Sequence, residues 1–197
     1  MHFCRMEETN LNQYWEKGYA YKSFRALMHE LHEKKMVTGP NQSDDLLAYS
    51  LLNEQRMNRI DKHGSIQVVT QSAESLRILV ITEGWCGDSA QILPYMEKWS
   101  AAKGHQLRIV LRDENLDLMD QYLTNGARAV PLFLFLNAEG KVVARWGARP
   151  EALQNLVVNW KNEGLTKEVF VTMIHKWYAN DKGLTCVQEW EELSFTR

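Results

Sequence analysis

Cys86 is the residue whose type and setting point most directly to chemistry. It lies within residues 76–96, LRILVITEGWCGDSAQILPYM. There an apolar β-branched run (Ile78, Leu79, Val80, Ile81) reaches Thr82-Glu83-Gly84, then Trp85-Cys86-Gly87-Asp88-Ser89. A helical spacing of Ile92, Leu93 and Met96 follows. A strand that turns at glycine into a helix places the cysteine against outward-pointing amides and the positive end of the helix dipole. That setting favours the thiolate, which is the nucleophilic form of the side chain. Ser89, one turn further, can donate its hydroxyl to the sulfur. The carboxylates of Glu83 and Asp88 act the other way, because each disfavours a second negative charge close by. The balance expected is a modestly lowered thiol pKa.

Other residues with chemical potential carry weaker patterns. Cys4, Cys86 and Cys186 are widely separated, with no CxxC or zinc-ligand spacing, and Cys4 and Cys186 read as unpaired thiols. His29 and His32 are three apart rather than the four of HExxH and read as solvated on a helix face. Arg56 and Arg59 could hold an anion, but a solvated helix face is the plainer reading. Asp113, Asn115 and Asp117 alternate like calcium ligands, yet the glycine and closing glutamate of an EF-hand loop are missing. No metal site and no cofactor are expected.

The elements that must position Cys86 follow from periodicity. Residues 11–35 read as one amphipathic helix, with Leu11, Tyr14, Trp15, Tyr21, Phe24, Leu27, Met28 and Leu31 at three- and four-residue spacing. Thr38-Gly39-Pro40-Asn41 breaks it, and Ser43 caps a second helix that stops near His63-Gly64. Residues 66–70 alternate like a short strand, with a turn or helical stub at 71–75. After Cys86 a helix containing Pro94 runs to about Ala102, then a strand at 107–112 and a short helix at 113–123. Two apolar runs around Asn137-Ala138-Glu139-Gly140 make a hairpin. Helices at 151–161, 167–178 and 186–193 complete the chain.

Composition is that of a folded soluble protein: 197 residues, 45% hydrophobic and 24% charged, with a formal charge of −2. That charge offers no electrostatic case for nucleic acid or an anionic membrane. The first residues lack the apolar core of a secretory signal, and no apolar run is long enough to cross a bilayer. A cytoplasmic location is expected, in which the Asn41-Gln42-Ser43 sequon carries no sugar.

From residue 76 to 160 the order is strand, cysteine, proline-containing helix, strand, helix, strand preceded by a proline, hairpin strand, glycine and helix. This resembles the thioredoxin-like superfamily. Trp85-Cys86-Gly87 is similar to the thioredoxin WCG signature, and Pro94 to the proline within its active-site helix. Val130-Pro131 resembles its cis-proline loop, and Gly147 the glycine after its last strand. The resemblance implies an α/β thioredoxin fold, a central mixed sheet flanked by helices, over residues 64–162. A helical extension (1–63) and a C-terminal helical extension (163–197) then pack on the core as one compact domain. The extensions resemble those of bacterial thioredoxin-like proteins.

The departures from that family shape the expected function. Thioredoxins carry Cys-Gly-Pro-Cys, and this chain has Cys86-Gly87-Asp88-Ser89. Val80 stands where the family has a buried aspartate that helps deprotonate the resolving cysteine. The resolving thiol and its base are therefore missing together. The chemistry left is monothiol exchange through Cys86 with a protein disulfide or a low-molecular-weight thiol adduct, released by a substrate or external thiol. The resemblance further implies that Trp85, Gly87, Val130 and Pro131 bind the substrate, with Ser89 assisting Cys86. One alternative is a non-catalytic thioredoxin-fold module that binds a protein partner. Another is a protein similar to the monothiol glutaredoxins, which hold an iron–sulfur cluster with glutathione, although Asp88 replaces their phenylalanine. A peroxidase reading lacks the threonine and arginine that peroxiredoxins place around their cysteine.

Overall fold

The computed structural model describes residues 11–68 and 75–193. Its central feature is β1 (Arg77–Thr82), the RILVIT run, in which Ile78, Leu79, Val80 and Ile81 are all fully buried. β1 pairs in parallel with β2 (Gln106–Leu111) and antiparallel with β3 (Leu132–Leu136), which pairs antiparallel with β4 (Val142–Gly147). The order β2-β1-β3-β4 makes a mixed sheet with β1 and β3 at its centre.

Side chains alternate across a strand, so the sheet builds two apolar layers. Ile78, Val80, Ile109, Phe133 and Phe135 face one layer, while Leu79, Ile81, Val110, Leu132 and Leu134 face the other. The first layer is covered by α2 (Tyr21–Glu33), α3 (Asp44–His63), α4 (Gly87–Lys103), α6 (Glu151–Asn162), α7 (Lys167–Asp181) and α8 (Leu184–Glu192). The second is covered by α1 (Asn12–Lys17) and the single turn α5 (Leu116–Met119). This is the α/β thioredoxin fold with extra helices.

Local sequence explains several boundaries. Ser43 accepts from the Leu46 amide at 3.1 Å and caps α3, with Asp44 and Asp45 in its first turn. α4 ends at Lys103 because Gly104 takes a left-handed conformation, φ 72°. The Val130–Pro131 peptide bond is cis, as the resemblance implied. Gly147 has φ 132°, and a Cβ there would lie 2.3 Å from the Pro131 carbonyl oxygen. Only glycine lets β4 pass this close to the proline loop.

Three expectations need correction. The helix expected over 11–35 is two helices, broken at Gly18-Tyr19-Ala20. Tyr19 there exchanges backbone hydrogen bonds with Ile109 on β2, at 2.7 and 2.8 Å. A Cβ on Gly18 would approach the Arg108 Cβ to 3.0 Å, so glycine permits the crossing of the sheet edge. Continuous amphipathic spacing hid the break because α1 and α2 bury their apolar faces on opposite sides of the sheet. The helix expected over 113–123 is one turn, with hydrogen-bonded turns after it. Residues Ile66–Val68 are irregular rather than a strand, while 69–74 and Cys4 lie outside the described residues.

α8 belongs to the core. Trp190 is fully buried and packs against Trp99 and Trp146, with ring centroids 5.6 and 5.5 Å apart. Glu191 and Glu189 accept from the indole N–H groups of Trp99 and Trp146, both at 2.7 Å. Glu189 also caps the Glu151 amide of α6. Truncation Trp190→Ala should therefore cost about 3–5 kcal/mol of folding stability, read as a lower denaturation midpoint in urea. A loss below about 1 kcal/mol would show that α8 is an accessory.

Candidate functional site

The chain leaves β1 at Thr82 and reaches α4 through Glu83-Gly84-Trp85-Cys86. Both backbone groups of Gly84 are held by the N-terminal helices and their connection. Its N–H donates to Thr38 Oγ1 at 2.9 Å, and its carbonyl accepts from Asn53 Nδ2 at 3.2 Å and Ser50 Oγ at 3.4 Å. Ser50 is further tied to His32 Nε2 at 2.8 Å, and His32 Nδ1 to Glu54 at 2.6 Å. His32 is therefore no solvated face residue: its side chain is 4% exposed, inside a polar network that clamps the loop. His29, which also reaches Glu54, is exposed as expected.

Cys86 is the N-cap residue of α4 and is 6% exposed. Its Sγ donates to the Val130 carbonyl at 3.3 Å, so the cis-proline loop is in direct contact with the sulfur. Trp85, half-buried, carries the Arg112 guanidinium 4.8 Å from its ring centroid. Cys86, Trp85, Gly87, Ser89, Val130 and Pro131 thus lie together. The buried Ser89 hydroxyl also bonds Thr82 Oγ1 at the end of β1.

Electrostatics run against the modest lowering anticipated for the thiol. Burial pushes Cys86 up to about 11, and the Asp88 carboxylate adds to the rise. The Ser89 hydroxyl and the Ser89 and Asp88 amides favour the thiolate but do not offset these. Desolvation decides because it penalises only the charged form and acts on the whole side chain. Glu83 contributes nothing comparable. It is fully buried, with Oε1 accepting from the Asp113 amide at 2.8 Å, and its own pKa is raised, chiefly by burial.

Several residues of the site carry no local signal. Asp88 takes Arg149 Nε and Nη2 at 2.9 and 2.7 Å and the Tyr178 hydroxyl at 2.8 Å. Two later segments therefore lock the first turn of α4. A Cβ on Gly87 would lie 2.3 Å from Tyr49 Oη and 3.1 Å from His175 Cε1, so these two rings stand on the residue beside Cys86. Tyr49 Oη bonds His175 Nε2 at 2.8 Å, and Gln91 Nε2 donates to His175 Nδ1 at 3.2 Å. Accepting at Nδ1 leaves the His175 proton on Nε2, directed at Tyr49. Arg56 is half-buried, 5.2 Å from the Tyr49 ring centroid and bonded to Asn53, rather than lying on a solvated face. Apart from the local partners of Arg56, sequence separations of up to 126 residues kept these pairings from view.

Two outcomes follow. Asp88→Asn removes the carboxylate beside the sulfur and frees Arg149, so both changes favour the thiolate. The pH midpoint of Cys86 alkylation should fall from about 11, measured by peptide mass spectrometry after timed iodoacetamide labelling. Burial holds His105 and His175 at about 4, helped respectively by Lys103 and Arg56. Both are then neutral in the folded chain but charge near 6.5 when unfolded. The stability they contribute is complete above 6.5 and declines as pH falls towards 4. A His105→Gln/His175→Gln variant should lose less stability across that window in urea titrations.

Comparison with known proteins agrees with this architecture. The chain is similar to the crystal structure of an HIV epitope-scaffold, with 16% identity, a TM-score of 0.56, and coverage of 92% of this chain and 98% of that one. It is also similar to the crystal structure of a protein of unknown function from Pseudomonas aeruginosa, at 16% identity and a TM-score of 0.57. That likeness covers 93% of this chain and 99% of that one. At this identity the likeness concerns the fold, and it extends into the added helices. No curated protein matches the sequence. Among the described residues, no helix is long and apolar enough to cross a membrane. The family model described as Thioredoxin matches residues 39–163, from the loop before α3 to the end of α6, and the chain belongs to that thioredoxin family.

Proposed function

We propose that the protein carries out monothiol thiol–disulfide exchange through Cys86. The observation that carries this reading is the contact of Cys86 Sγ with the Val130 carbonyl beside cis-Pro131, at the N-terminus of α4. A substrate segment paired with the Val130 backbone would bring its disulfide to the sulfur. The Cys86 thiolate attacks one sulfur of R–S–S–R′, forming Cys86–S–S–R and releasing R′–S⁻, which takes up a proton. A second thiolate, from the substrate or a small external thiol, then attacks the mixed disulfide and restores the Cys86 thiolate. Ser89 occupies the position one turn along from Cys86, so no internal thiol there competes for the release step. Ser89 acts by hydrogen bonding, and Trp85 and Gly87 line the approach.

A second reading, a thioredoxin-fold module that binds a partner without turnover, is favoured by the thiol itself. With Cys86 at about 11, roughly one molecule in ten thousand holds the thiolate at pH 7. Exchange then requires the bound substrate, or a movement of the covering side chains, to favour that form. The cytoplasm is the compartment in which such a thiol stays reduced.

The two readings separate in one experiment. The reduced protein is mixed with a model disulfide and analysed intact by mass spectrometry, beside Cys86→Ser. Exchange predicts an adduct on Cys86 that persists until external thiol is added, and none at that position in the variant. Cys86 that forms no adduct, and is alkylated no faster than Cys4 or Cys186, would leave the binding module standing.

A further inference from the structure

Two adjoining cavities, of about 350 and 330 Å³, lie between α3, α4 and α7 and share Arg59, Gln91 and Ala179. The larger one adds His63 and Lys182, and the smaller one adds Arg56 and His175. No carboxylate lines either, although the chain as a whole carries a net charge of −2. His63 and Lys182 stand at the C-terminal ends of α3 and α7, where a cation favours the helix by itself. Arg56 and Arg59 precede the last turn of α3 and have no such explanation. They are three residues apart on one helix face, where like charges repel. Arg59 has no hydrogen bond or ion pair among the described residues. Arg59, His63 and Lys182 are exposed, so their charged ends are open to a ligand from solvent, and a small anion would relieve the Arg56–Arg59 repulsion.

Neither cavity is lined by Cys86, Gly87 or Asp88, but two of the lining side chains touch the last two of these. The smaller cavity is lined by His175, which with Tyr49 stands on Gly87. The larger cavity is lined by Tyr178, whose hydroxyl bonds Asp88. One layer of side chains, His175 and Tyr178 with Tyr49 beside them, therefore separates the trough from the two residues that follow Cys86. The trough's size is at the lower end of the range for small-molecule sites.

We propose that this trough binds the anionic end of a low-molecular-weight disulfide, a carboxylate- or phosphate-bearing thiol adduct, whose sulfur is delivered to Cys86 past Tyr49. The proposal rests on the exchange reading for its substrate, while the anion site stands on its own geometry. Arg59 and Lys182 recognise charge, and Gln91 and His63 supply further polar contacts.

Calorimetric titration of full-length Cys86→Ser with glutathione disulfide and with coenzyme A disulfide tests the site without turnover. Saturable binding should appear at low salt, weaken as salt rises, and fall about tenfold in an added Arg59→Gln/Lys182→Asn pair. Tighter binding of the coenzyme A compound identifies phosphate as the recognised group; tighter binding of glutathione disulfide identifies carboxylate. In protein that retains Cys86, the same pair should raise KM about tenfold for the anionic disulfide preferred in the titration and leave it unchanged for neutral 2-hydroxyethyl disulfide. Absence of saturable binding by either compound, unaltered binding in the paired variant, or equal effects on charged and neutral disulfides would overturn the proposal. Binding by Cys86→Ser together with no exchange by the Cys86 protein would sink the exchange reading and leave the anion site.

Discussion

Burial of β1 on both faces is the constraint on which the rest of this structure depends. Four consecutive apolar side chains, Ile78 to Ile81, point alternately into two layers and are removed from water in both. Each such side chain contributes about 1.5–3 kcal/mol when buried, so neither face can be left open. The helices between the strands, α4 and α5, do this only in part. α2, α3 and α8 add Phe24, Met28, Met57 and Trp190 to one layer, and α1 adds Leu11, Tyr14 and Trp15 to the other. The chain reaches both faces by crossing the sheet edge at Tyr19, where backbone pairing to Ile109 satisfies the exposed edge of β2.

The same helices that complete the core also enclose the cysteine. Thr38, Ser50 and Asn53 hold the Gly84 peptide groups, so the loop that carries Cys86 is fastened by residues more than thirty positions before it in the chain. Tyr49 and His175 cover Gly87, and Arg149 and Tyr178 neutralise and fix Asp88. These contacts turn an open helix N-terminus into a closed one. The electrostatic outcome is a matter of magnitude. Helix-end effects are worth about 0.3–1 kcal/mol, reaching ~2 in favourable geometry. Raising a thiol from an ordinary value near 9 to about 11 corresponds to about 3 kcal/mol in the opposite direction. Desolvation with a neighbouring carboxylate outweighs the dipole, so reactivity at Cys86 depends on what approaches it.

Sequence alone determined those features whose cause is local or periodic. The apolar runs of β1, β3 and β4, the Ser43 cap, the glycine after Lys103 and the cysteine at a strand-to-helix turn each follow from neighbouring residues. That a resolving thiol and its base are missing came from the family resemblance, with Ser89 and Val80 at the positions compared. The grouping of Trp85, Cys86, Gly87, Ser89, Val130 and Pro131 came from the family resemblance, and the folded chain brings them together. Tertiary structure alone decided the rest, for a physical reason. Desolvation, and pairing between residues far apart in the chain, depend on which surfaces meet in space. That is why one apparent helix over 11–35 divides around a sheet edge, why His32 is a buried clamp, and why a thiol expected to ionise more easily is held protonated by its surroundings.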